Sequence, residues 1–265
     1  MRNRIGLLFL IGIFFFMSSL STAQVLPVRK EMGMKEIREP AVSGTFYTDT
    51  PEVLSRDVKR YLENAKKEKV DGEIIALVSP HAGYIYSGQV AAHAYKLIEG
   101  KALDSVVVVA PSHRALFKGV SIYDRGGYRT PLGLVPVDTE LSGKLKERRK
   151  EIQFLPEAHA QEHSLEVQIP FLQVVLKTFK LVPIVMEPYW SWETSQYLAS
   201  AIAEVVRGKK VLLIASSDLS HYYPYETAVK LDQQANEAVP KLNIDRVVTE
   251  VEACGKAGIL TLMHL

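Results

Sequence analysis

The stretch that decides the fold runs from Ile74 to Gly88 and reads Ile-Ile-Ala-Leu-Val-Ser-Pro-His-Ala-Gly-Tyr-Ile-Tyr-Ser-Gly. It begins with an apolar run that is too short for a helix and rich in strand-forming residues, and Ser79-Pro80 ends that run. Such a run is typical of a strand buried on both faces. His81 follows directly, at the carboxyl end of the predicted strand, where open α/β sheets bind their ligands.

The same pattern occurs twice more along the chain. Residues 105–113 read Ser-Val-Val-Val-Val-Ala-Pro-Ser-His, and residues 211–221 read Val-Leu-Leu-Ile-Ala-Ser-Ser-Asp-Leu-Ser-His. Because the carboxyl ends of parallel strands meet at one edge of a sheet, we expect His81, His113 and His221 to lie near a common site. One histidine in a polar loop would indicate only a hydrogen-bonding residue; three at strand ends favour a site.

The order of the predicted elements indicates the fold class. Apolar strands alternate with amphipathic helices, which predicts a single α/β domain with a largely parallel central sheet flanked by helices. Residues 120–123 and 133–137 flank a glycine-rich loop and predict a hairpin or a β-insertion. Residues 162–179 have helical spacing, and Pro170 within them predicts a kink or the true start of a helix.

The N-terminus has the pattern of an export signal. Arg2 and Arg4 precede an apolar run from Ile5 to Met17, and small residues at 21 and 23 are spaced like a signal-peptidase site. We expect residues 1–23 to be a cleaved signal peptide and the protein to be exported, either periplasmic or extracellular. An uncleaved N-terminal membrane anchor is the alternative, although the run is shorter than the ~20 residues of a spanning helix.

The net charge of the chain limits the classes of binding partner that it indicates. The chain has 32 Lys and Arg against 30 Asp and Glu, and the signal would remove two arginines, which leaves a formally neutral protein. This balance gives no indication of nucleic-acid binding, or of membrane association after signal cleavage.

The only cysteine, Cys254, has no intramolecular disulfide partner. It is a buried apolar residue, a free thiol or a metal ligand.

Several residues could form a reactive site. The imidazoles of His81 and His113 with the Cys254 thiolate would make a ligand set suited to Fe, Cu or Zn rather than Mg or Ca. Asp218 and His221 could then orient and transfer a proton, and Glu162-His163 is a second acid–base pair. Cys254 as a nucleophile activated by a histidine remains an alternative. We interpret His93 as structural, and His159 has no recognisable chemical context.

Two common enzyme motifs are missing from the sequence. There is no Gly-x-Ser-x-Gly, which argues against a serine hydrolase, and no Gly-x-Gly-x-x-Gly, so dinucleotide binding is not indicated. The short His-Glu-x-x-His zinc motif is also absent. A metal site would therefore have to be assembled from distant parts of the chain.

Six motifs in fixed order resemble a known family. They are Pro80-His81-Ala82-Gly83-Tyr84, Pro111-Ser112-His113, Tyr128-Arg129-Thr130-Pro131-Leu132-Gly133, Glu162-His163-Ser164-Leu165-Glu166, Ser216-Ser217-Asp218-Leu219-Ser220-His221 and Cys254-Gly255. Together they closely resemble the Memo family, whose bacterial members are also named AmmeMemoRadiSam system protein B, over residues 41–265. The resemblance implies a fold like that of class III extradiol dioxygenases. It also implies a metal site of His81, His113 and Cys254, with Asp218 and His221 in the same pocket.

The resemblance leaves the activity open. It implies a metal-dependent oxidoreductase acting on a small molecule with one Fe or Cu ion, Zn being a further choice. The alternatives are a non-catalytic module that binds a metal or peptide, and a metal-dependent hydrolase. The family continues past Cys-Gly through a helix and a strand, whereas this sequence stops at Leu265, so we expect truncation at the C-terminus.

Overall fold

The computed structural model describes residues 36–189 and 191–265. The predicted signal peptide, residues 1–23, lies outside the described residues. The strands are β1 Ile37–Arg38, β2 Ala76–Ser79, β3 Ser105–Pro111, β4 Val120–Ile122, β5 Gly127–Thr130, β6 Gly133–Pro136, β7 Ile152–Gln153, β8 Lys180–Met186 and β9 Val211–Ser216. The helices are α1 Pro51–Asn64, α2 Tyr84–Lys96, α3 Thr139–Lys146, α4 Pro156–Ala160, α5 His163–Glu166, α6 Ile169–Val175, α7 Trp192–Val205, α8 Tyr225–Ala238, α9 Ile244–Glu250 and α10 Lys256–Met263. Within the two described ranges, no helix is both long and apolar enough to cross a membrane.

A six-stranded sheet with the order β2-β9-β3-β8-β4-β7 forms the centre of the domain. The first four strands are mutually parallel, β4 is antiparallel to β8, and β7 is parallel to β4. Helices cover the sheet, so the predicted α/β domain with a largely parallel central sheet is confirmed. Because β2, β9 and β3 are adjacent and parallel, their carboxyl ends lie side by side at one edge of the sheet.

The central strand β3 shows why the sheet is buried on both faces. Val106 and Val108 pack on one side with residues of α1, α2 and α6, whereas Val107 and Val109 pack on the other with residues of α3 and α7. All four valines are 0% exposed. Successive side chains of a strand point to opposite faces, so a continuous valine run suits a strand covered on both sides. Each buried valine contributes on the order of 1.5–3 kcal/mol relative to exposure.

Residues 120–123 and 133–137 were predicted to form a hairpin or a β-insertion, and the hairpin is wrong because the two segments do not pair with each other. β4 joins the large sheet, where Ile122 faces Ile184 of β8, because its side chains are fully buried core residues. The hairpin is formed instead by β5 and β6, which pair with β1 in a separate three-stranded sheet. Gly126 turns the chain into β5 with φ +51°, and a Cβ there would lie 1.7 Å from the Glu36 carbonyl oxygen.

The predicted helix at 162–179 is divided into α5 and α6. Pro170 lies in the first turn of α6, so the expectation that this proline marks a helix start is confirmed. Glu162 caps α5 by accepting a hydrogen bond from the Ser164 N–H. The short α5 holds Glu162 and His163 against the carboxyl end of β3, since the Ser164 hydroxyl donates to the Pro111 carbonyl at 2.8 Å.

Candidate metal centre

Three imidazoles meet at the edge formed by the carboxyl ends of the parallel strands. His81 follows β2, His113 follows β3, and His163 begins α5. One ring nitrogen from each lies within 4.8 Å of the others, and the ring centroids of His81 and His113 are 5.2 Å apart. The structure thus brings two of the predicted ligands together and adds His163, which the sequence suggested only as part of an acid–base pair.

The backbone around His81 is held by a carboxylate. Asp218 Oδ1 accepts hydrogen bonds from the backbone N–H of His81 at 2.6 Å and of Ala82 at 3.2 Å. Its other oxygen, Oδ2, lies 3.9 Å from His81 Nε2 and 3.7 Å from His221 Nε2. Asp218 therefore positions the loop that carries His81, while His221, whose side chain is 37% exposed, lies further out.

Hydrogen bonding determines which nitrogen of His81 carries the proton. The Ser216 hydroxyl has one hydrogen, and it donates this to the Ser164 carbonyl at 2.6 Å. Ser216 Oγ accepts from Gln168 Nε2 at 2.8 Å, so it must also accept from His81 Nδ1, 2.9 Å away. The Gln168 amide is itself oriented by the Tyr95 hydroxyl, which donates to Gln168 Oε1 at 2.6 Å. His81 Nδ1 is therefore protonated, and Nε2 presents a lone pair.

Burial reinforces this assignment by keeping the His81 ring neutral. The side chain is almost entirely buried, and this burial lowers the pKa of His81 to about 4, despite the opposing attraction of Asp218. A neutral imidazole with a free Nε2 is the form that binds a metal ion.

The Cys254 sulfur faces that lone pair. Sγ lies 3.2 Å from His81 Nε2 and accepts a hydrogen bond from the Asp218 N–H at 3.3 Å. Gly255 brings the two loops into close contact, because a Cβ at this position would lie 2.2 Å from the Ser216 carbonyl oxygen. The place of the thiol is thus set by a contact between backbones, and Cys254 lies beside the His81 ring as predicted. Its role as a metal ligand stays a prediction.

Glu162 fixes the second imidazole. Its buried carboxylate accepts from the His113 backbone N–H at 2.5 Å and from His113 Nδ1 at 3.0 Å. Burial alone would raise the pKa of Glu162, but the hydrogen bonds to His113 outweigh it and lower that pKa to about 2. Burial likewise opposes the charge on His113, yet interactions with Cys254 and Glu162 raise its pKa to about 9. His113 is therefore protonated at neutral pH, and a metal bound at Nε2 would displace a proton.

His163 has a buried nitrogen that lacks a hydrogen-bond partner within residues 36–189 and 191–265. Its Nδ1 makes no hydrogen bond to any residue that the structure describes, and Glu162 Oε1 is 3.4 Å away. Burial is the main reason why the pKa of His163 is lowered. The Phe46 ring packs against it with a centroid distance of 4.8 Å. A buried polar atom of this kind usually has a partner, such as water, an ion or a ligand.

The chain matches known proteins over most of its length. The sequence model of the Memo-like protein family matches residues 38–265. This chain belongs to the Memo-like family. A MEMO1 family protein of Saccharolobus solfataricus is 36% identical over 248 residues, which span 86% of this chain and 87% of the relative. MEMO1 family proteins of Sulfolobus acidocaldarius and Sulfurisphaera tokodaii are 39% and 34% identical, with the same shares covered.

A second layer of buried charge supports the centre of this Memo-like protein, and the sequence did not reveal it. Arg38 pairs with Glu166 and donates to the carbonyl oxygens of His159 at 3.0 Å and of Glu162 at 2.7 Å. Glu166 also accepts from the backbone N–H of Ala41 at 2.8 Å. The one available signal was an acidic residue inside the otherwise apolar run Leu-Glu-Val at 165–167. This pair ties the entry segment of the domain to α5 and hence to Glu162.

His159, which had no clear context in the sequence, is structural. Its Nε2 is 3.0 Å from the Ser121 hydroxyl, and its Nδ1 is 2.7 Å from the Tyr128 hydroxyl. Burial lowers its pKa to about 3, and the charge of Arg38 acts in the same direction. Both nitrogens are used within the core, so His159 has none left for a ligand.

The residues of the centre fit a transition-metal ion. The hydrogen bonds to Ser216 and Glu162 occupy Nδ1 of His81 and His113, which leaves Nε2 as the metal-binding nitrogen of each. Such oriented imidazoles are the usual form of metal-ligating histidines. Nitrogen and sulfur donors suit iron, copper or zinc and not magnesium or calcium. The three-histidine cluster could therefore hold a metal, and its donors do not select one of these three.

Proposed function

We propose that this Memo-family protein binds one redox-active metal ion, iron or copper, and uses it in an oxidoreductase reaction on a small molecule. His81, His113 and Cys254 would hold the ion, and zinc is the further choice. The observation that carries the proposal is the cluster of three imidazoles beside a thiol at the carboxyl edge of the sheet. When bound, iron or copper would accept O2 or a substrate oxygen and exchange electrons with it.

The protein's own groups would handle protons at this site. His163 is held mostly neutral by burial and has a free Nδ1, so it can accept a proton from a bound molecule. His221 lies at the outer side with Asp218 Oδ2 3.7 Å from its Nε2, a placement suited to proton exchange with solvent. Glu162 is committed to His113, so it would orient that ring rather than transfer protons itself.

A second ligand set is supported by a specific observation. His81, His113 and His163 have mutually close ring nitrogens, so three imidazoles could hold the ion while Cys254 remains a free thiol. Separate Cys254→Ser and His163→Gln variants distinguish the two sets. Loss of at least about tenfold in metal affinity in one of them, with little change in the other, identifies the third ligand.

Metal analysis of the purified protein tests the proposal. Protein prepared without added metal should contain close to one equivalent of iron or copper, and His81→Ala should lose it. His93→Ala is the matched control, because His93 is exposed on α2 and should keep the metal. O2 uptake with catechols would support an oxidoreductase. Hydrolysis of ester or phosphate substrates would overturn the oxidoreductase proposal in favour of the hydrolase. Purified protein without metal would overturn it in favour of a binding module.

We also propose that the protein works outside the cytoplasm. The proposal rests on Arg2, Arg4 and the apolar run of residues 5–17. N-terminal sequencing of protein from cell fractions is the test: the mature chain should begin at or near Gln24 in the exported fraction. Intact Met1 on protein recovered from the cytoplasm would contradict it.

A further inference from the structure

Strand β2 lies at the edge of the large sheet and has one open side. Among the described strands it pairs only with β9. The carbonyls of Ile75 and Ser79 accept hydrogen bonds from the β9 side, at 3.0 Å and 2.9 Å. Because backbone groups alternate along a strand with a period of two, the N–H and C=O groups of Ala76 and Val78 point the other way. The edge therefore presents main-chain groups to which a further strand could bond.

The sequence of β2 does not protect this edge. Its residues Ala-Leu-Val-Ser include no charge and no proline, the features that usually prevent an exposed edge from pairing. The other edge strand of the sheet, β7, has only two residues, and shortness is itself a protection. The side chain of Val78 is 38% exposed, and that of Ile75 is 62% exposed. The open edge is thus apolar as well as available for hydrogen bonding.

A cavity of about 450 Å³ lies beside Val78, and we name it the β2 groove. Tyr86 of α2 lines one wall, and residues of α8 and α10, among them Ile259, line the other. These helices cover opposite faces of the sheet, because Ile214 of β9 packs in the cluster of α2 and its neighbour Ala215 packs in that of α8 and α10. The β2 groove therefore continues the plane of the sheet between two helical layers, where a further strand would lie.

The β2 groove also contains a carboxylate that is free to bind a cation. Asp232 of α8 lines it, and its Oδ1 accepts a hydrogen bond from the Ser220 N–H at 3.0 Å. Within the described part of the chain, no lysine, arginine or histidine nitrogen lies within 4.0 Å of the Asp232 carboxylate. The second acid of the groove, Asp218, is bonded to the backbone of His81 and Ala82. A matching occupant is therefore apolar and carries a positive charge.

We infer that the β2 groove binds a short extended segment of another protein, which adds a strand to β2. The main chain of the segment bonds to Ala76 and Val78, its apolar side chains pack between the helical walls, and a lysine or arginine pairs with Asp232. Added strands gain affinity from main-chain hydrogen bonds and specificity from side-chain pockets. A second copy of this chain is a poorer match, because residues 71–79 contain two acids and no lysine or arginine.

A labelled peptide tests the inference without any change to the protein. Fluorescein-labelled Thr-Val-Thr-Val-Lys-Val should bind saturably in an anisotropy titration with the protein as purified. A copy methylated on its backbone nitrogens keeps the side chains but cannot donate main-chain hydrogen bonds, so it should bind at least about tenfold more weakly. Replacing the lysine of the peptide by glutamine should weaken binding to the wild type severalfold. The same replacement should have no effect on binding to Asp232→Asn.

A variant of the edge itself provides the second test. Val78→Lys should weaken binding of the lysine peptide at least about tenfold, because a charge on an edge strand opposes strand addition. Val70→Lys is the matched control, since Val70 is 50% exposed in the segment between α1 and β2 and does not line the groove; it should bind like the wild type. Far-UV circular dichroism shows that each variant is folded, and if Val78→Lys does not fold, the methylated peptide decides.

Several results would overturn the inference. They are an absence of binding at about 1 mM peptide, equal binding of the methylated copy, and unchanged binding to folded Val78→Lys. Sedimentation of the protein alone covers the remaining occupant: a dimer that Val78→Lys converts to a monomer would assign the groove to a second copy. None of these measurements depends on the metal, so they leave the proposed function to its own test.

Discussion

Replacing Ser216 by alanine is the sharpest test of how the centre is organised. The Ser216 hydroxyl donates to the Ser164 carbonyl and accepts from His81 Nδ1 and Gln168 Nε2. Gln168 keeps another acceptor in the Pro80 carbonyl at 2.9 Å, so the substitution leaves two buried groups without a partner. These are the Ser164 carbonyl and the His81 N–H.

The size of the effect follows from those two groups. Each of the two orphaned buried groups costs about 1–3 kcal/mol, so we expect Ser216→Ala to lower the free energy of unfolding by about 2–6 kcal/mol. Metal affinity should fall by about 10- to 100-fold, because nothing then holds the His81 ring in the tautomer with a free Nε2. Urea unfolding gives the first quantity, and competitive metal titration gives the second.

The matched control is Ser142→Ala. Ser142 is also fully buried, but its hydroxyl has no hydrogen-bond partner in the part of the chain that the structure describes. Removing an unpaired hydroxyl should leave stability within about 0.5 kcal/mol of wild type or raise it. If Ser216→Ala unfolds like Ser142→Ala and binds metal like wild type, the assignment of the His81 proton is refuted.

Three further substitutions test other parts of the fold. Gly255→Ala should lower the free energy of unfolding, measured in urea, by at least about 1–3 kcal/mol, because its Cβ would lie 2.2 Å from the Ser216 carbonyl oxygen. The control is Gly143→Ala, where a Cβ would meet nothing within 4 Å; this change should stabilise α3 slightly. Glu166→Gln should cost about 3–5 kcal/mol by the same measurement, because it leaves the buried Arg38 charge uncompensated; a loss below 1 kcal/mol would contradict this. The pKa of His159 is about 3 in the folded protein and about 6.5 when unfolded, so the unfolded chain binds the extra proton between those values. The contribution of neutral His159 to the free energy of unfolding is complete above pH 6.5 and decreases by about 1.4 kcal/mol per pH unit as the pH falls. A His159→Gln variant should therefore lose less stability in acid than the wild type.

The sheet could be predicted because its signal is local. A run such as residues 106–111 is apolar at every position, and only a strand buried on both faces needs that pattern. The position of the site followed from the same signal, since a parallel sheet brings its strand ends together. The pairing of β4 could not be predicted, because the sequence of Val120–Ile122 would suit a strand in either sheet. The choice depends on contacts with β8, which lies more than 60 residues further along the chain.

The inner structure of the centre depends on contacts that sequence patterns do not record. His163 joins the cluster because contacts from distant parts of the chain hold α5 in place, among them the hydrogen bond between the buried Glu162 carboxylate and His113. Ser216 was visible as part of a strand-end motif, but its role depends on Gln168, an amide 48 positions away. Hydrogen-bond saturation is a property of the assembled core, so it appears only when the atoms are placed.

The attachment of Asp218 to the backbone of His81 and Ala82 changes how alleles of this gene would be interpreted. A loss-of-function Asp218→Ala allele would be scored as evidence for a missing charge, yet it also releases two main-chain N–H groups and with them the loop that carries His81. Asparagine retains an oxygen at the same place without the charge. Comparing the two alleles in one genetic background separates the role of Asp218 in holding the His81 loop from the role of its charge. If asparagine is tolerated and alanine is not, the residue serves mainly to hold the backbone of that loop.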